Sequence, residues 1–145
     1  MRWLLLDEVL GIEKTKCACT KSHIPFEEFS RELLLLEMMA QTGGLLVGAE
    51  NDFQQDLIFA KIEKAVFFEE SWAMAPGESI NIQAASERLR PEGGWIESLI
   101  EGKKGKIAES RFMLMNVGRL ISGFPKPITF HEAFMSYFQV RQKVR

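Results

Sequence analysis

Charge of one sign is the first thing this sequence lacks. Its 18 lysines and arginines face 20 acidic residues, for a formal net charge of −2. Nucleic-acid binders usually carry a strong basic excess, so no nucleic acid is expected as a partner. Cysteine is scarce as well, with only Cys17 and Cys19. Two residues apart, they share one face of a strand, and no second pair is present to complete a zinc site. Both read as small core residues. Hydrophobic runs are short. The N-terminal run of Trp3, Leu4, Leu5 and Leu6 meets Asp7 and Glu8 at once, unlike the longer apolar region of a signal peptide. The richest apolar stretch, Leu33 to Val47, is broken by Glu37, Gln41, Gly43 and Gly44, whereas a membrane span needs about 20 mostly apolar residues. A cytoplasmic protein with no membrane span is expected. There is no internal repeat and no low-complexity segment.

What is present is enough for one hydrophobic core: 145 residues, 46% of them hydrophobic, the length of an ordinary single domain. The organising stretch runs from Glu32 to Gly48. Apolar nearly all round, it reads as a buried helix. A carboxylate in the middle of such a helix is costly unless it is paired or used, and this makes Glu37 the residue that most needs a reason. Glu27, Glu28 and Glu32 sit near the helix start, where acids complement the macrodipole, and Ser30 is a candidate N-cap. Gly43 and Gly44 offer close approach to a neighbouring backbone.

Strands surround this helix. Trp3 to Ile12 and Cys17 to Ile24 read as the first two, with Pro25 ending the second. Asp56 to Phe68 reads as the third by content. Ala75-Pro76-Gly77-Glu78 fits a type II turn. Ser79 to Arg90 alternates with Ile80, Ile82 and Ala84 inward, and Trp95 to Glu101 and Lys106 to Val117 follow through Gly-rich turns. Short turns between successive strands imply an antiparallel meander. Pro125 and Pro127 mark a linker. Beyond it Thr129 and Glu132 are spaced as a capping box, and Phe130, Phe134, Tyr137 and Phe138 form a helical aromatic stripe that packs on the domain or on a partner subunit. The expected fold is α+β: a curved antiparallel sheet around one long helix in residues 1–120, with a C-terminal extension over 121–145. A free edge strand invites pairing, so a homodimer with one continuous sheet is expected.

Several local sequences, in this order, resemble the hot-dog fold 3-hydroxyacyl-acyl-carrier-protein dehydratases, FabZ and FabA. Leu4-Leu5-Leu6-Asp7-Glu8-Val9-Leu10 is similar to that family's first strand. Leu33 to Gln41 is similar to its central helix, which carries an acid followed by Ala, x, Ala, Gln. Lys64-Ala65-Val66-Phe67, the Pro76-Gly77-Glu78 turn and Gly105-Lys106-Ile107-Ala108-Glu109 complete the set. The resemblance spans roughly residues 3 to 117, and its specificity lies in the order of five motifs rather than in any one.

The resemblance implies a dehydration with no metal and no redox cofactor. His23-Ile24-Pro25 stands where the family has His-Phe-Pro, and His23 precedes Glu37 by 14 residues, the family's usual spacing. His23 would take the α-proton of a 3-hydroxyacyl thioester of acyl carrier protein or coenzyme A, and Glu37 would protonate or hold the departing β-hydroxyl. Burial suits Glu37 to that role, because desolvation keeps a proton available near neutrality. By the same analogy, the histidine and the acid come from different subunits. Gln41, one turn beyond Glu37, would face the same way, and Leu33 and Gly44 are further candidates for substrate contact.

Two departures keep alternatives open. Arg31 and Glu32 stand where the family has Pro-Gly, whose glycine N–H binds the thioester carbonyl. The chain from Asp7 to His23 is also shorter than the family's, so His23 is either the base or a strand-end residue left after loss of the loop. A non-catalytic acyl-thioester-binding protein or partner subunit, or a hot-dog thioesterase, is then the alternative. Met38, Met39, Met113 and Met115 read as core filling or as acyl-tunnel lining. Lys103, Lys104, Lys106, Arg111, Arg141, Lys143 and Arg145 read as solvated faces, one of them a candidate dock for an acidic carrier. His131 reads as solvent-facing.

Overall fold

The computed structural model describes residues 4–26, 30–119, 122–123 and 129–145, apart from the side chains of residues 70 and 71. Chain order is β1 (Glu8–Glu13), β2 (Cys17–His23), α1 (Arg31–Ala49), β3 (Leu57–Phe67), α2 (Glu70–Ala73), β4 (Ser79–Ala85), β5 (Gly93–Gly102), β6 (Gly105–Asn116), α3 (Glu132–Tyr137) and α4 (Val140–Lys143). The strands form one six-stranded antiparallel sheet in the order β1-β2-β4-β5-β6-β3. The readings placed on Trp3, Glu27, Glu28, Pro125 and Pro127, and the division near residue 120, lie outside the described residues.

Alternation builds the inner face, since successive side chains on a strand point to opposite sides. Ile80, Ile82 and Ala84 of β4 point inward as expected, beside Ala18 and Thr20 of β2, Ile96 and Ile100 of β5, and Ala108 and Phe112 of β6. Helix α1 lies on this face and packs against β2, β4, β5 and β6. By length and composition α1 passes for a membrane span, but 67% of its apolar window is buried inside the fold, as a core helix requires. Hydroxyls fix its rotation. Thr42 Oγ1 lies 2.7 Å from Thr20 Oγ1 and donates to the Met38 carbonyl at 2.9 Å. Gly43 sets its distance from the sheet, because a Cβ there would sit 3.0 Å from Phe112 and 3.1 Å from Ile96.

Several expectations are corrected. β4, β5 and β6 form a meander, but β3 does not lie beside β4; it crosses to the far edge and pairs with β6. Its side chains are exposed on both faces over most of its length, a pattern only an edge strand tolerates. Cys17 and Cys19 share a face, but it is the outer one, and they are half-buried there while Ala18 and Thr20 enter the core. Burial pushes the Cys19 thiol above its ordinary value. Met38 and Met39 fill the core, whereas Met113 and Met115 lie half-exposed on the outer side of β6. The Ser30 hydroxyl makes no cap bond and donates to Glu32 instead.

The aromatic stripe of the tail docks on the same chain. Phe130 meets Phe53 edge-on with ring centroids 5.1 Å apart, and Phe134 meets Phe138 at 5.1 Å. Gly48 makes room for this, since a Cβ there would lie 2.5 Å from Phe130 Cζ. α4 then closes onto β1, where Arg145 N–H donates to the Ile12 carbonyl at 2.8 Å.

Candidate active site

Leu33, Glu37, Gln41 and Gly44 follow at helical spacing and lie along one side of α1. This is the least covered side of the helix: Leu33 is 65% exposed, Glu37 and Gln41 are half-buried and Gly44 is buried. α1 is therefore not apolar all round, and Glu37 sits at the border of the core rather than in its middle.

That side opens into a cleft of about 560 Å³. Its walls are mostly apolar, with Leu4, Leu57, Phe59, Leu114, Phe130 and Phe134 among them, and Glu37, Gln41, Thr129 and His131 are its polar side chains. Gln41 is held at both ends. Its Oε1 accepts the Leu5 N–H at 3.1 Å, and its Nε2 donates to Glu37 Oε1 at 3.1 Å. Burial holds the Glu37 carboxyl above its ordinary value of 4.5, and the Gln41 bond only partly opposes this. With Oε1 occupied as an acceptor, the proton of the acid form sits on Oε2. An apolar cleft with few convergent polar groups and one displaced pKa is the ordinary form of a ligand site.

The structure thus brings Glu37, Gln41 and Gly44 together in the cleft. His23 and Leu33 do not line it within one protomer. His23 ends β2 half-exposed, with Nδ1 2.7 Å from Asp7 Oδ2. Arg31 is buried and donates to the Met74 carbonyl at 3.0 Å. The Ser30 hydroxyl and Glu32's own backbone N–H hold the Glu32 carboxyl below its ordinary value.

Sequence reasoning missed the contribution of the tail. The capping box is corrected: the N-cap of α3 is His131, whose Nδ1 accepts the Phe134 N–H at 3.2 Å. Thr129 instead bonds to the entry of β3, its Oγ1 accepting the Leu57 N–H at 3.1 Å while its own N–H donates to the buried Asp56 at 2.8 Å. His131 is exposed but not simply solvent-facing, because it borders the Glu37 cleft. Ser, Thr, Asp and Asn dominate N-caps, so nothing local in the sequence favoured histidine over the nearby threonine.

The architecture is the hot-dog fold. It aligns with the dehydratase heterocomplex ApeI:P of Xenorhabdus doucetiae at a TM-score of 0.64 and 14% identity, over 79% of this chain and 84% of that one. It aligns also with a hypothetical thioesterase of Streptococcus pneumoniae solved with coenzyme A, at a TM-score of 0.57 and 10% identity, over 77% and 85%. No protein-family model matches the sequence. Curated relatives are more specific. The 3-hydroxyacyl-[acyl-carrier-protein] dehydratase FabZ of Chlamydia pneumoniae is 29% identical over 131 residues, covering 79% of this chain and 84% of the relative. FabZ of Clostridium tetani is 26% identical over 124 residues, covering 77% and 85%. In sequence the chain is similar to FabZ dehydratases, and in fold to hot-dog proteins that include a dehydratase complex.

Proposed function

We propose that this chain is a FabZ-like dehydratase that removes water from a 3-hydroxyacyl thioester, carried on acyl carrier protein or coenzyme A, in fatty-acid-type biosynthesis in the cytoplasm. The observation that carries the reading is Glu37, an acid with a raised pKa, oriented by Gln41 at the edge of an apolar cleft. A carboxyl that burial biases toward its protonated form is a donor, and a departing hydroxide needs one. The α-proton goes to His23, whose Nδ1 is held by Asp7, leaving Nε2 as the base. An orienting carboxylate on the far nitrogen is a recurrent way to fix a working imidazole. The substrate loses its α-proton to His23, and its β-hydroxyl leaves with the Glu37 proton as water, so no metal or redox cofactor enters.

His23 does not line the Glu37 cleft of its own protomer, and a second copy would supply the missing partner. The exposed edge of β3 carries Ile58, Phe59 and Ile62, each 39–47% exposed, and Ile58 and Phe59 also line the cleft. Pairing of two β3 edges would bury this apolar row, complete a continuous sheet and bring a second protomer to the cleft.

A second reading, an acyl-thioester-binding partner subunit, is favoured by the separation of His23 from the cleft within one protomer. A thioesterase is less well supported, because activating water takes an ionised carboxylate, which burial of Glu37 disfavours. The test is absorbance at the enoyl-thioester band with crotonyl and longer 2-enoyl thioesters. Hydration by wild type, lost in folded His23→Ala and Glu37→Gln, supports the proposal. An inert wild type on both carriers favours the binding role, and release of free thiol favours the thioesterase.

A further inference from the structure

An acyl thioester in the Glu37 cleft needs more than an acid. When its α-proton leaves, negative charge develops on the carbonyl oxygen, and a placed hydrogen-bond donor there is usually the largest single contribution to rate. The start of α1 presents Glu32, whose carboxylate, bonded by the Ser30 hydroxyl, is a poor neighbour for developing negative charge. Within the cleft, Gln41 is held between Leu5 and Glu37, and Thr129 Oγ1 is tied to the entry of β3 by the Leu57 N–H.

We infer that His131 is a catalytic residue of this cleft, donating a hydrogen bond from Nε2–H to the thioester carbonyl. The inference rests on the thioester reading of the cleft. Its structural basis is the cap of α3. His131 Nδ1 accepts the Phe134 N–H, so the one proton of the neutral ring sits on Nε2. The same bond fixes the ring, and a protonated ring would have to give the cap up. The chain leading into the cap is also fixed from outside α3. Asp56, buried between β3 and the end of β6, accepts the Thr129 N–H, and Thr129 in turn accepts from Leu57. Two residues later His131 borders the cleft with Phe130 and Phe134 on either side in sequence. Nε2 has no protein partner among the described residues. The tail is then part of the site: its aromatic residues wall the cleft, and its histidine polarises what the cleft holds.

The cap and the donor are separable by substitution. Asparagine presents an acceptor where Nδ1 lies and is a preferred N-cap, but its amide stops short of Nε2. Glutamine reaches the Nε2 position with an N–H and gives up the cap. If His131 were only a cap, His131→Asn would behave as wild type and His131→Gln would be the weaker variant. The inference predicts the reverse order. With crotonyl-coenzyme A as probe, His131→Asn should lose about 10²-fold in kcat with little change in KM, the scale of one lost oxyanion donor. His131→Gln should retain more activity while being the less stable of the two. Difference infrared spectroscopy of carbonyl-labelled crotonyl-coenzyme A provides a readout that does not depend on rate. Its carbonyl stretch should be lower when bound to the wild-type chain than when bound to His131→Asn. A lowered stretch in a chain that hydrates nothing would overturn the dehydratase proposal, and with it the catalytic role, while leaving the His131 bond to the thioester carbonyl standing. Equal stretches in wild type and His131→Asn, full activity in His131→Asn, or no binding of the thioester at millimolar concentration would overturn the inference.

Discussion

Two glycines four residues apart on α1 should respond to the same substitution with opposite signs. At Gly44 an added Cβ meets only Leu57 Cδ1, at 3.6 Å, an ordinary van der Waals contact. Gly44→Ala should therefore express the helix preference for alanine, a gain of about 0.5–1 kcal/mol. At Gly48 the Cβ would lie 2.5 Å from Phe130 Cζ and 2.8 Å from Phe53 Cδ1, and both rings are nearly fully buried. Overpacking costs about 1–3 kcal/mol, and three ring atoms within 2.8 Å put this site in the upper part, about 2–3, of which the propensity gain offsets about 1. The net loss for Gly48→Ala is about 1–2 kcal/mol, a fall of roughly 2–8 °C in Tm for a domain of this size. Urea and thermal unfolding of the two variants beside wild type measure both numbers. Phe130 belongs to the docked tail, so Gly48→Ala should also raise the exposure of the tail to limited proteolysis. A Gly48→Ala chain as stable as wild type, with an equally protected tail, would refute the placement of Phe130 over α1.

The buried acid has a consequence for stability. Burial raises the folded-state pKa of Glu37 above 4.5, so between the two values the folded chain holds the proton that the unfolded chain has lost. Stability from this group is full below the ordinary value, falls as pH rises through the window and is then flat. Glu37→Gln should accordingly be at least as stable as wild type at pH 7 and lose its advantage below about pH 4; a wild type clearly more stable at pH 7 in paired melts counts against the assigned environment. Thr42→Val leaves the fully buried Thr20 hydroxyl without its partner at 2.7 Å, at a cost of about 1–3 kcal/mol. Adding Thr20→Val should recover most of that in a double-mutant cycle, and simple additivity would deny the coupling. Asp7→Ala removes an exposed partner of His23 and should shift stability by less than about 1 kcal/mol, yet lower the hydration rate. An unchanged rate would remove the orienting role given to Asp7.

Much of the fold was legible because it is built from local periodicity. The alternation of Ile80, Ile82 and Ala84 settles which face of β4 enters the core, and the apolar density of residues 31–49 settles which element is the central helix. Gly77, with φ of +87°, is the residue a type II turn demands. What local pattern does not carry is which strands become neighbours. β3 and β4 follow one another in sequence but are separated by β5 and β6, because the two-sided exposure of β3 suits only an edge. The first strand starts at Glu8 rather than among the leucines, where Leu4 instead turns to the cleft and the Leu5 N–H to Gln41. Glu37, Gln41 and Gly44 were legible as one helix side. His131 was not, since its place in the cleft follows from the docking of the tail through Gly48, Phe53 and Asp56, which lie far from it in sequence.

The proposed dehydration requires one site to draw His23 from one protomer and Glu37 from its partner. Purified His23→Ala and Glu37→Gln chains, each inactive alone, would be unfolded together, refolded as a mixture and assayed for enoyl-thioester hydration. Random pairing places both in half of the dimers, each with one intact and one doubly altered site, so activity should return to about a quarter of wild type. A mixture no more active than its components would contradict a site shared between subunits.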